Sequence, residues 1–215
     1  MTNLTHEVWN YLDSEPSIKK ELSRGIVNTM ALAKHIIKSK NLSRSPDAVI
    51  SAIRRYMLEE RHSPKFHNVE GIIKNSRIST KNKIALIAIK RDPIILEALP
   101  NVFPLIEISR GDVMRLSEGK GSLKILVDEK NLQKIADVFP KDKIIGVTRN
   151  LSELIIHFGP GSSEAVGVLA TIMNELAVNN IKIVEVIGCL PEFMLFFESK
   201  DILKAHEILM ELSGD

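Results

Sequence analysis

The stretch HFGPGSSEAVGVLA, residues 157–170, holds the residue types best spaced for chemistry. Gly159, Pro160 and Gly161 form a turn after an apolar run. Ser162, Ser163 and Glu164 then lead through Gly167 and Val168 into a helical pattern. A strand, a glycine turn and a helix start present unpaired backbone N–H groups at the positive end of a helix dipole, which suits an anion. A nucleotide is disfavoured, because no Gly-Lys-Ser/Thr follows the glycines and Glu164 stands where a dinucleotide fingerprint has its third glycine. A carboxylate beside a pyrophosphate would repel it. A smaller anion fits the same backbone physics: the amides of Ser162 to Gly167 would hold a ligand carboxylate, and Glu164 or Glu185 would accept from a ligand ammonium. Gly159 and Gly161 would permit positive φ and a close backbone approach. The competing reading is a tight turn with Ser162 or Ser163 as an ordinary N-cap.

A second constellation is basic. In SPDAVISAIRRYM, residues 45–57, an apolar stripe of Val49, Ile53, Tyr56 and Met57 has the 3.6-residue period of a helix, and Ser51, Arg54 and Arg55 fall off it. A basic turn with Lys40 and Arg44 precedes this helix, and Lys74 and Arg77 follow it in a basic connector. Two helices, the second with arginines on its free face, have the layout of a helix-turn-helix that reads duplex DNA. The other reading is a small helical bundle for dimerisation or capping.

No further chemistry stands out. His62 and His67 have no neighbours to complete a metal shell. His157 is either a ligand contact or a packed histidine. Cys189, the single cysteine, excludes an internal disulfide, and no neighbour would activate it. There is no Ser/His/Asp order and no convincing carboxylate pair, so neither an enzyme nor a cofactor is expected.

The elements that must position these residues change character along the chain. Residues 1–66 read as helices, with Pro16, Asn28 and Ser45–Pro46 as start signals. Residues 67–82 read as a basic connector. From residue 83 the order is strand, irregular helix broken by Pro100 and Pro104, hairpin turning at Glu118 to Gly121, helix and strand, ending near 150. Residues 151–215 repeat strand, helix, hairpin and helix, without an obvious last strand. The fold class expected is α+β: an N-terminal helical, helix-turn-helix-like region followed by two ferredoxin-like βαββαβ units, 83–150 and 151–215.

Residues 151–212 resemble an ACT domain, a small regulatory module that binds amino acids. The resemblance rests on PGSSEAVGVLATIMNELAVNNIKIVEV and EFMLFFESKDILKAHEIL, with Asn180-Ile181-Lys182-Ile183 and Asp201 in their expected places. The segment from Gly161 to Gly167 is longer than the family's usual step from Pro-Gly to Val-Leu. Residues 83–150 match the topology but not these motifs. The resemblance implies an amino acid or related small metabolite as ligand, held by the loop from Gly159 to Val168, and association through the sheets.

Composition agrees with a globular chain: 215 residues, 44% hydrophobic and 26% charged, with net charge +2. The charge is unevenly spread. Residues 1–81 carry 14 Lys/Arg against 8 Asp/Glu, whereas residues 151–215 carry 3 against 10. No apolar run reaches the roughly 20 residues a bilayer demands, and the polar N-terminus leads us to expect a cytoplasmic chain with no membrane partner. Strands 154–158 and 193–197 are apolar on both sides, so a homo-oligomer, or mutual cover of the two repeats, is expected. The leading function is a metabolite-sensing regulator with duplex DNA as a second partner. The alternative is a regulatory subunit that docks on a metabolic enzyme.

Overall fold

The structure is a computed structural model that describes residues 4–60, 69–163 and 165–213, the side chains of Lys20, Glu60, Glu70 and Ser213 excepted. His62, His67 and Glu164 therefore lie outside the described residues. The chain divides into two units, Met1–His67 and Asn68–Asp215.

The first unit is helical: α1 Leu4–Ser14, α2 Pro16–Ser23, α3 Thr29–Ser39 and α4 Pro46–Glu60. The start signals act as expected. Pro16 and Pro46 open α2 and α4, and the Asn28 side chain accepts from the amides of Met30 and Ala31. Val8, Leu12, Ala33, Ile36, Val49, Ala52 and Ile53 form the core between the helices, each fully buried. Trp9 donates to Ala52 O at 3.1 Å and meets Tyr56 edge-on, which ties α1 to α4. The Tyr56 hydroxyl donates to Asp13, and burial, with that bond second, pushes its pKa up to about 12.

The second unit opens with α5 Val69–Lys74, and β1 runs from Arg77 to Lys90. This corrects the connector read over 67–82: Val69, Ile72 and Ile73 are buried in a core, and residues 77–81 are strand. The apolar residues of α5 are few, so the helix was hidden among Lys, Arg and Asn. Next come α6 Pro93–Ala98, β2 Met114–Glu118, β3 Ser122–Asp128, α7 Leu132–Ala136, β4 Ile144–His157, α8 Val168–Val178, β5 Ile183–Cys189, β6 Glu192–Glu198 and α9 Ile202–Ser213. A 3₁₀ segment, Leu99–Leu105, follows α6 and contains Pro104, as the proline spacing predicts.

All six strands join one antiparallel sheet of order β2-β3-β1-β4-β6-β5. The boundary read at 150/151 falls inside β4, which runs unbroken for 14 residues. β1 and β4 each serve both ends of the sheet. The second half of β1, Ile84 to Lys90, pairs with β3, while its first half, Arg77 to Lys81, pairs with β4 over Glu153 to His157. Register shifts interrupt the β1–β4 ladder near Lys83 and Asn150, whose φ values are +59° and +57°. Such bulges bend a strand and raise its twist.

The bend folds the sheet onto itself. β3 and β5 are four strand steps apart, about 19 Å in a flat sheet. Yet Lys124 of β3 pairs with Glu185 of β5, and Arg115 of β2 reaches Glu153 of β4 at 2.9 Å. Inside the curl, Ile84, Leu86 and Leu126 pack with Leu151, Met194 and Phe196. Outside it, α5, α8 and α9 cover one end of the sheet, and α6 with α7 cover the other. The second apolar face that argued for an oligomer is thus covered within one chain. No described helix is long and apolar enough to cross a membrane.

Candidate functional site

The loop between β4 and α8 borders two cavities. The first, about 370 Å³, lies at the start of α8, among Ser162, Ser163 and Gly167 of the loop, Val168 of the helix, and the edge-to-face rings of Phe158 and Phe193. The second, about 570 Å³, lies between the loop and α5, lined by Asn75, Arg77, His157, Gly159 and Pro160. Phe158 lines both.

The local backbone follows from the glycines. Gly161 sits at φ +87° and Gly167 at φ +100°, a region that L side chains rarely enter. Gly159, which would permit positive φ, does not adopt it. Gly167 is the N-cap of α8, so the helix starts at Val168 and not near Ser162. The amides of Ser162, Ser163 and Gly167 therefore lie outside the helix, and neither serine caps it. The positive φ of Gly167 is what stops the helix from extending backwards. Gly167 has no side chain to offer the first-turn amides of Val168, Leu169 and Ala170, and its carbonyl accepts from Thr171 N at 2.9 Å.

The start of α6 at the other end of the sheet is the opposite case. The Asp92 carboxylate accepts from Ile94 N at 3.1 Å and from Lys143 at 2.6 Å. The Lys143 hydrogen bond, with the Ile94 amide second, holds Asp92 below the usual carboxylate range. One helix start is closed by the chain's own carboxylate, and the other opens on a cavity.

Ser162 is 8% exposed and lines that cavity, and its hydroxyl has no partner among the described residues. Ser163, Gly167 and Val168 share the cavity with it, while Gly159 and Pro160 face the second and Gly161 joins the two groups. Glu185 is removed from the site: it lies on the inner face of the curl, bonded to Lys124. Its burial there depends on β5 curling back towards β3, which no local pattern reveals.

The basic residues scatter. Lys40 caps α3, with its ammonium 5.5 Å from the Tyr11 ring centre. Arg44 and Arg54 are exposed. The Ser51 hydroxyl donates to Asp47 O at 2.9 Å, and Arg55 donates to Ser51 O and to Thr5 Oγ1. Residues 40–45 make a six-residue link between α3 and α4, longer than the roughly three to four residues of a helix-turn-helix. Lys74 and Arg77 belong to the second unit, and Arg77 lines its second cavity. Within the curl, Glu153 is fully buried, and its Oε2 has no partner among the described residues. Burial raises its pKa against the pull of Arg115. Reading 151–157 as apolar strand overlooked this charge, although a lone Glu in LSELIIH was the signal.

No protein-family model matches the sequence, and no curated protein sequence matches it significantly. Solved structures do resemble it. A chain described as a C-terminal regulatory domain of aspartate kinase from Porphyromonas gingivalis W83 matches at TM-score 0.50 and 17% identity, over 65% of this chain and 98% of that one. A chain from a structure of aspartokinase alpha and beta subunits matches at 0.52 and 14%, over 64% and 97%. Aspartate kinase of Clostridium acetobutylicum, an allosteric enzyme, matches at 0.51 and 16%, over 63% of this chain but only 34% of its own. Matches of that length necessarily run through the second unit. They show a fold shared with these chains, in keeping with the resemblance seen in the sequence.

Proposed function

We propose that the second unit senses a small carboxylate-bearing metabolite, in the first instance an amino acid, bound in the cavity at the start of α8. The observation that carries this reading is the open helix start. The first turn of α8, whose N-cap offers no side chain, and the buried residue Ser162 line a cavity of about 370 Å³, within the range of small-molecule sites. The ligand carboxylate takes the position that Asp92 fills at α6. Ser162, Ser163, Gly167 and Val168 contact it, and Gly159, Pro160 and Gly161 shape the loop. With Glu185 committed to Lys124, Glu164 is the remaining acid for a ligand ammonium.

We read the sheet as two βαββαβ units with exchanged ends. The last strand missing from residues 151–215 is the first half of β1, and the first half of β4 completes the other unit. A ligand that tightens the β4–α8 loop then acts on a strand common to both. It shifts the molecule only as far as its affinity differs between two states. Regulation, not catalysis, is the role.

For the output, docking on a partner protein is favoured over DNA. Lys40 and Arg55 are engaged within the first unit, and the link at 40–45 is long for a helix-turn-helix. DNA contact by Lys40, Arg44, Ser51, Arg54 and Arg55, with Lys74 and Arg77, is the competing output. Duplex binding by fluorescence anisotropy across a salt series decides between them, because phosphate contacts give an affinity that falls steeply with salt. The sensing reading is tested by a thermal-shift screen against the amino acids, where a true ligand raises Tm increasingly with concentration. The response is expected to vanish in Ser162→Ala and Gly161→Val. No shift with any amino acid would overturn it.

A further inference from the structure

We infer that the second cavity, between α5 and the β4–α8 loop, is a separate oxyanion site built around Arg77. It takes a carboxylate or a phosphate group. Arg77 opens β1 and lies directly across from His157 in the strand register, and both line the cavity. The guanidinium is exposed and has no acidic partner among the described residues. The nearest acid in the cross-strand row is Glu192, opposite His157 in β6. It contacts the imidazole, with Nδ1 and Oε1 3.2 Å apart, so Glu192 is engaged by His157 and Arg77 is left as the cation for a ligand.

The rest of the cavity suits this role. Ile72, Phe158 and Pro160 supply apolar walls, which strengthen a charged hydrogen bond beside them. Asn75 spends its amide on Gly71 O at 2.7 Å, so its position is fixed. Lys74, at the end of α5, adds positive potential. A planar guanidinium with several donors matches two oxygens of a carboxylate or phosphate at once. The second unit is acidic over its last 65 residues, which makes an unpaired arginine at this place stand out.

The test uses the full chain and two probes, succinate and inorganic phosphate, followed by ¹H–¹⁵N NMR. Saturable shifts are expected at the amides of Asn75 and Gly159, and the probe that binds more tightly identifies the source. In Arg77→Gln the affinity is expected to fall at least roughly tenfold, the scale of one charged hydrogen bond. Melting is expected to stay unchanged there, because Arg77 is exposed. Absence of shifts with both probes, or equal affinity in Arg77→Gln, overturns the inference. Amino-acid binding reports instead on the amides of Ser162, Gly167 and Val168, so the failure of one site is distinguishable from that of the other.

Discussion

Two buried carboxylates respond to acid in opposite senses. Asp112 accepts from Asn131 at 2.7 Å and pairs with Lys130 at 2.5 Å, and the Lys130 bond above all lowers its pKa to about 2. A lowered carboxylate stabilises the fold above its unfolded-state value, and that contribution is lost as pH falls towards about 2. Glu153 is raised by burial, so its contribution is complete below its unfolded-state value and disappears as pH rises through the folded one. Urea unfolding from pH 2 to 8 is expected to show both slopes. Asp112→Asn removes the acid-side loss, and Glu153→Gln removes the decline on the other side. At Gly161 no atom lies within 4 Å of an added Cβ, so the left-handed backbone is the main cost of Gly161→Val, about 1–2 kcal/mol in chemical denaturation. The glycine turn was legible in the sequence because positive φ selects for glycine. The fate of Glu185 and Glu153 was not, since the partner of each comes from a strand distant in sequence.

Helix starts are the best-read feature among the elements. Asn28 caps α3 through two amides at 3.1 and 3.0 Å, so Asn28→Ala is expected to cost about 1 kcal/mol, read as a lowered urea midpoint. α8 was read as starting too early because Ser162 and Ser163 look like caps, while the positive φ of Gly167 decides the matter. α5 was missed because a six-residue helix shows little periodicity. The bulges were invisible for a different reason: Lys83 is an unusual occupant of a left-handed position. Lys83→Asn is expected to raise stability by a few tenths to about 1 kcal/mol, and Lys83→Val to lower it. A thermal melt of the two variants checks the sign.

At the scale of the molecule, periodicity identified nearly every strand but could not show that β1 begins at Arg77 or that β4 runs unbroken through residue 150. The strand β4 was visible in LSELIIHFG. The partner of its open edge was not, because residues 77–81 are too polar to announce a strand. β1 and β4 pair along both halves of the sheet within one compact unit, Asn68–Asp215. A fragment of residues 151–215 lacks the neighbour of β4 and the cover of Met194 and Phe196, and is expected to give the circular dichroism of an unfolded chain. The same pairing sets a waiting time during synthesis. Ile84 meets Leu151 only after sixty-seven more residues have been added. At a ribosome's roughly 5–20 residues per second, that is roughly 3–13 s. Through that interval the nascent β1 carries an open apolar edge, a natural substrate for chaperones, and any pause in translation before β4 lengthens its exposure.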